Sequence, residues 1–155
     1  MRIACVTYRD WALKIYDNLV ENSDHTFLII RSRAQYSEPA LRDFKPDIIL
    51  FYGWSWIIEK SLLNDFKCIM LHPSPLPKYR GGSPLVWSIM NGDSFVGSSI
   101  FKLTEGMDTG DLLLQVEVEN KITDDIQSLL NKIEDKLLAE LPNKWASLIN
   151  GEAHL

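Results

Sequence analysis

Four short runs at residues 3–7, 27–30, 47–51 and 68–71, in which nearly every residue is apolar, constrain the fold of this chain more than any other feature. A strand wet on one face alternates apolar and polar residues, whereas a run apolar throughout must be covered on both faces. Between the runs the period changes. Trp11, Ala12, Ile15, Tyr16, Leu19 and Val20 recur at three and four positions, with Asp10 placed to cap the helix they predict. A shorter helical piece falls at 59–63. Strands alternating with helices predict a mostly parallel sheet with helices on both faces, an α/β fold. The chain has 155 residues, 46% of them hydrophobic. That is enough to bury roughly 70% of the unfolded surface in one domain spanning 1–155.

After residue 95 the pattern alters. Strands are predicted at 99–103 and 112–118, running antiparallel at the end of the sheet. In the second, Gln115 and Glu117 alternate with Leu114, Val116 and Val118, which predicts one wet face at a sheet edge. Thr123, followed by Asp124 and Asp125, opens a helix whose apolar positions run from Ile126 to Leu141. Pro142 should kink or break it, and Asn150-Gly151 offers a final cap.

Sixteen Lys and Arg against 21 Asp and Glu give a net charge of −5, a poor balance for a dedicated nucleic-acid binder. Cys5 and Cys68 sit singly in apolar runs, which suggests neither a disulfide framework nor a metal site. Tyr8, Arg9 and Asp10 end the first apolar run too early for a secretion signal, and no run approaches a membrane span. A soluble cytoplasmic protein is expected. Thr7-Tyr8-Arg9-Asp10 follows the first strand where a dinucleotide-binding glycine fingerprint would have to stand.

The most informative stretch follows the fourth run. Residues 70–83 read Met-Leu-His-Pro-Ser-Pro-Leu-Pro-Lys-Tyr-Arg-Gly-Gly-Ser, and a helix is predicted at 84–91. Three prolines stiffen the backbone directly after a buried strand. In an open parallel sheet that strand end borders the ligand crevice, so His72 is either a held functional group or an ordinary loop histidine. The series His72-Pro73-Ser74-Pro75-Leu76-Pro77-Lys78-Tyr79-Arg80-Gly81 resembles the signature loop of the folate-dependent formyltransferases. Further segments agree in order: Asn91-Gly92-Asp93, Gly97-Ser98-Ser99-Ile100-Phe101, and Glu105-Gly106-Met107-Asp108-Thr109-Gly110-Asp111-Leu112-Leu113. Upstream, Asp47 to Ile58 resembles the strand and loop that bind the pterin in that family.

This resemblance implies a single Rossmann-like formyltransferase domain. It also implies transfer of a formyl group from 10-formyltetrahydrofolate to an amine. His72 and Asp108 match the family's catalytic His and Asp. An imidazole exchanges protons near neutrality, and a nearby carboxylate would hold it or an ordered water. Tyr52, Gly53, Trp54, Trp56, Ile57 and Ile58 are expected to wall the pterin, with Asp108, Thr109 and Asp111 on the opposite rim. Without the resemblance, the same Trp-Ser-Trp stretch reads as core under a short helix. Arg9, Arg80, Gly81 and Gly82 are expected to meet the acceptor, with Lys78 either joining them at a pyrophosphate or standing as solvated surface charge. The family tends to have a cis Leu-Pro bond in this loop, which points to Leu76-Pro77.

One position departs from the pattern. The family's Asn-x-His requires Asn at 70, and this chain has Met70. A thioether has no proton to give an oxyanion. A backbone N–H or another side chain (Ser74 or Asn91) replaces the amide, or the enzyme is slow, or the chain binds folate without catalysing. Among acceptors a nucleotide-linked amino sugar is the expectation. Glycinamide ribonucleotide is disfavoured by the missing phosphate loop. Methionyl-tRNA is disfavoured by the acidic charge and by a chain ending at Leu155, where those relatives append a tRNA-contacting domain. Residues 31–46 leave space for one short helix and no strand, so the acceptor pocket is expected to be open or completed by a second copy in a homo-oligomer.

Overall fold

A computed structural model describes residues 1–78, 84–104 and 110–150. Six strands form one sheet: β1 (Arg2–Val6), β2 (Thr26–Ile30), β3 (Ile48–Tyr52), β4 (Lys67–His72), β5 (Phe95–Lys102) and β6 (Leu112–Glu119), in the order β2-β1-β3-β4-β5-β6. The first four are parallel, with Ile3 opposite Phe27 and Ile48, and Tyr52 opposite Leu71. β5 and β6 then run antiparallel, as the sequence predicts. β5 starts four residues before the predicted 99–103. Gly97, Ser98 and Ser99 are poor strand formers alone, but pairing with β6 on one side and, from Ser99, with β4 on the other extends the strand through them.

Among the described residues six helices cover the sheet: α1 (Asp10–Glu21), α2 (Glu38–Phe44), α3 (Lys60–Asp65), α4 (Pro84–Met90), α5 (Ile126–Glu140) and α6 (Trp145–Asn150). On one face α1, α4, α5 and α6 close over Ile3, Cys5, Leu50, Ile69 and Ile100. On the other, Leu41 of α2 and Leu62 of α3 pack on Ala4, Val6, Ile49 and Phe51. The alternate residues of β1 and β3 therefore serve two cores, which is why their runs are apolar throughout. Between β2 and β3 there is α2 and no strand. Its start is fixed by Ser37, whose hydroxyl accepts from the Ala40 N–H at 3.2 Å, and its end by Lys45 at φ 54°. Cys5 and Cys68 are both buried free thiols, and burial pushes the Cys68 thiol up to about 12. Among the described residues no helix is long and apolar enough to cross a membrane.

Two helix starts differ from the sequence reading. Arg9, not Asp10, is the N-cap of α1, because the Thr7 hydroxyl accepts the Arg9 N–H at 3.0 Å and turns the chain one residue earlier. α5 begins at Ile126, two residues beyond where Thr123 alone would place it. Asp125 accepts from the Ser128 N–H at 2.8 Å while Ser128 Oγ accepts from the Asp125 N–H at 2.9 Å, a reciprocal cap. Pro142 ends α5 in a 3-10 turn at Leu141–Asn143, as expected, and Gly151 of the predicted final cap lies outside the described residues.

Asp124 holds this helix start to Lys132, whose ammonium also donates to Glu119 O at the end of β6. Its carboxylate accepts from Lys132, from the Lys121 N–H and from Ser128 Oγ, and these donors hold it down at about 2. An unfolded Asp titrates near 3.9. The folded carboxyl is the stronger acid, so its stabilisation is full above about 4 and is lost as pH falls towards about 2. Urea unfolding followed over that window is expected to lose stability more steeply in the wild type than in Lys132→Met.

Candidate active site

β1 hands the chain to β2 on one side, and β2 returns it across to β3 on the other, so the carboxyl ends of β1 and β3 diverge. Ligand crevices of open α/β sheets form at such a point. Its floor is set by Tyr16 of α1, which is fully buried. The Tyr16 hydroxyl accepts from the Tyr52 N–H at 2.8 Å and donates to Val6 O at 2.7 Å, with Leu50 O also within 3.0 Å. Burial raises its ionisation well above the ordinary tyrosine value, so it stays a neutral hydroxyl able to do both. The Tyr52 ring stacks on Tyr16 at 5.3 Å between centroids, inside the core. Of the predicted pterin wall, Tyr52 thus turns its ring into the core and gives its N–H to Tyr16. Its hydroxyl is buried without a hydrogen-bond partner.

Immediately beyond, Gly53 turns the chain at φ +67°. A Cβ there would stand 2.9 Å from Arg9 Cγ and 3.1 Å from Trp11 Cζ2, so the turn has room only for glycine and lies directly against the Arg9 stem. The loop after it builds an aromatic group with residues of two other elements. Trp54 packs on Tyr36 and on Trp56, and Tyr8 meets Trp56 edge-on at 4.9 Å. Tyr8 shares a hydrogen bond with Ser55 at 2.6 Å, and Tyr36 donates to Glu59 at 2.8 Å. The Arg9 guanidinium lies 4.5 Å over Tyr8, and that of Arg33 lies over both Tyr36 and Trp56. Trp54 and Ile58 are buried in the second core, whereas Trp56 is 40% and Ile57 97% exposed. The sequence reading of this stretch was a choice between wall and core. Trp54 and Ile58 are core, and Trp56 and Ile57 are surface.

His72 ends β4, one strand over from Gly53, and is buried. In register it faces Ser99 of β5, which faces Gln115 of β6, so the three side chains share one sheet face. Met70, two residues earlier on that face, packs against the second core and faces Phe101. The chain after His72 turns sharply, with the Ser74 N–H donating to His72 O at 2.8 Å. The Leu76–Pro77 peptide is cis, as the resemblance implied. Ser74 Oγ donates to Lys78 O at 2.6 Å, while Lys78 and Asn91 are both exposed. Asp111 is exposed, and its carbonyl accepts from the Lys102 N–H. A Cβ on the preceding Gly110 would collide with the Lys102 carbonyl, so Gly110 lies flush against β5. The predicted residues Asp108, Thr109, Arg80, Gly81 and Gly82 lie outside the described residues. No group of three or more His, Cys, Asp or Glu able to hold a metal occurs among the described residues.

The structure therefore brings Arg9, Gly53 and Trp56 together at the switch point and puts His72 on the adjacent strand. Tyr8, Tyr36, Arg33 and Gln115 were missed. The first three come from connections whose partners only the fold supplies, and the alternation of Gln115 with apolar residues predicts a wet side chain where the structure has a half-buried one.

This arrangement of sheet, switch point and histidine loop defines a known class. Residues 14–143 match the formyl transferase family, and the chain belongs to it. A methionyl-tRNA formyltransferase of Caldicellulosiruptor saccharolyticus is 33% identical over 146 residues, covering 91% of this chain and 45% of that protein. A sugar N-formyltransferase structure from Shewanella superposes with a TM-score of 0.81 at 22% identity, covering 100% of this chain and 73% of that one. HypX from Aquifex aeolicus, solved in complex with tetrahydrofolic acid, gives 0.82 at 22% identity, covering 99% of this chain and 28% of that one. At these identities the two structures show a shared fold. The chain spans less than half the length of the curated relatives it matches.

Tyr16→Phe tests the floor of the crevice. It leaves the buried Tyr52 N–H without its acceptor and Val6 O without its donor, and is expected to cost about 1–3 kcal/mol in denaturant unfolding.

Proposed function

We propose that residues 1–155 form one catalytic unit, in a cytoplasmic protein, that transfers a formyl group from 10-formyltetrahydrofolate to the amine of a nucleotide-linked amino sugar. The observation that carries this reading is His72, buried at the carboxyl end of a strand beside the switch point of a formyl transferase fold. The residues present fit a reduced folate. Trp56 and Ile57 present aromatic and aliphatic surface at that strand end, and the loop from Gly53 offers backbone donors and acceptors for a heterocycle edge. The bound folate supplies an activated formyl group.

The chain's own residues supply the rest. An amine that gains a formyl group must lose a proton, and the folate nitrogen released must gain one. His72 is assigned that proton. Asp108 is assigned the carboxylate that keeps the imidazole or its water in place, and Thr109 and Asp111 the far rim of the folate site. Arg9, whose guanidinium lies over Tyr8 beside the Gly53 turn, is assigned to the acceptor's phosphates, with Arg80, Gly81 and Gly82. Of the two side chains considered in place of the family Asn, Ser74 already spends its proton on Lys78 O. Met70 itself lies on apolar core.

A second acceptor has specific support, because the relative at 33% identity is a methionyl-tRNA formyltransferase. A panel decides between them: nucleotide-linked amino deoxysugars, methionyl-tRNA and glycinamide ribonucleotide, each with 10-formyltetrahydrofolate, followed by tetrahydrofolate release. Consumption with an amino sugar is expected. Preference for methionyl-tRNA would overturn the acceptor and keep the reaction, and release without any amine would make the protein a formylfolate hydrolase. His72→Ala is expected to lower transfer by roughly 10²–10⁴-fold while tetrahydrofolate still binds. Met70→Asn sets a half-buried amide against apolar core and is expected to lower stability; turnover rises by up to about 10²-fold if the wild type lacks an oxyanion donor, and changes little if another donor fills the place. Unchanged transfer by His72→Ala would remove the mechanism.

A further inference from the structure

Gln115 is a half-buried polar residue of β6 whose amide is bonded to the histidine loop and to Ser99. Its Nε2 donates to Leu76 O at 2.9 Å and to Ser99 Oγ at 3.0 Å. The Ser99 hydroxyl is buried and fully engaged: it also accepts from the Leu76 N–H at 3.0 Å and donates to Ser74 O at 2.8 Å. A hydroxyl can rotate, but here its direction is determined. Both incoming groups are N–H donors that cannot accept, so the Ser99 proton has only Ser74 O to go to. Three backbone atoms of the loop, Ser74 O, Leu76 N and Leu76 O, are thereby held from two strands.

The hold reaches His72 by two short routes. Ser74, whose carbonyl Ser99 fixes, donates its own N–H to His72 O. Ser99 also sits directly across the ladder from His72. The chain between His72 and Leu76 is thus fastened at both ends and in the middle. We propose that Gln115 is a positioning residue for His72: through Ser99 and the Leu76 carbonyl it sets where the imidazole stands relative to the crevice. This rests on the proposed role of His72 in formyl transfer.

The geometry separates Gln115 from general packing. Gln115→Glu keeps shape and volume, yet its carboxylate faces Leu76 O, an acceptor it cannot bond, and draws the Ser99 proton away from Ser74 O. Gln115→Leu removes both donors, one to Leu76 O and one to Ser99 Oγ. Either change frees the loop by an ångström-scale displacement, which costs catalysis about 10- to 10²-fold without touching the folate wall.

The experiment measures three quantities on wild type, Gln115→Leu and Gln115→Glu. These are tetrahydrofolate affinity, kcat per folate-binding site with the best acceptor of the panel, and the imidazole ¹⁵N resonances of His72, assigned by loss in His72→Ala. The inference predicts folate affinity within threefold of wild type, kcat down about 10- to 10²-fold, and a shifted or broadened His72 resonance. Counting only folate-competent molecules removes any loss due to unfolding, which a merely structural role would show instead. A kcat within twofold of wild type with an unmoved His72 resonance overturns it. If the wild type transfers formyl to no acceptor, the functional reading fails, and the His72 resonance alone decides this one: moved supports it, unmoved overturns it.

Discussion

The crevice depends on one hydroxyl. Where β1 and β3 part, the parallel ladder can no longer pair Val6 O with the Tyr52 N–H, and Tyr16 bridges the gap from the helix beneath. A water could satisfy the same two groups, but it would open the floor to solvent and leave the strand ends free to drift. The phenol does it from a rigid helix, with its ring stacked on Tyr52. The Gly53 turn, the packing of Arg9 and Trp11 against it, and the place of the aromatic loop all follow from that fixed separation.

Two different materials then build the two sides of the site. On the β1/β3 side, position comes from aromatic contact and guanidinium stacking, interactions that tolerate small displacements and suit the faces of a flat ligand. On the β4 side, position comes from saturated hydrogen bonds between Ser99, Gln115 and the loop, which tolerate little. The division matches what each side is proposed to do, since packing a heterocycle is less exacting than aiming a proton carrier.

Much of this was legible in the sequence, for reasons that differ by element. The four apolar runs announced the parallel sheet because strands covered on both faces have no polar position to spare. Pro142 and the apolar repeat of α5 announced the last helices in the same way. His72 was found through the proline-rich segment that follows it, a pattern with chemical as well as structural meaning. Tyr52 and Trp54 were harder, because an aromatic residue after a strand reads alike whether its ring turns into the core or out to a ligand. Tyr52 turns in, while Trp56 stays at the surface. Gln115 could not be placed at all from its own segment. Alternation says which face a side chain takes, and only the fold says that this face is roofed by residues 74–78.

The antiparallel end of the sheet has a consequence for how the protein comes into being. Gln115 and Leu76 are 39 residues apart, so the fastening of the histidine loop is among the long-range closures of the chain. During synthesis the parallel strands β1 to β4 can assemble while β6 is still inside the ribosome. Until β5 and β6 join the sheet, the loop lacks the bonds that Ser99 makes to Ser74 O and the Leu76 N–H and the one that Gln115 makes to Leu76 O. The parallel sheet and the fastening of the histidine loop thus arise in sequence, with the edge strand adding its bond last.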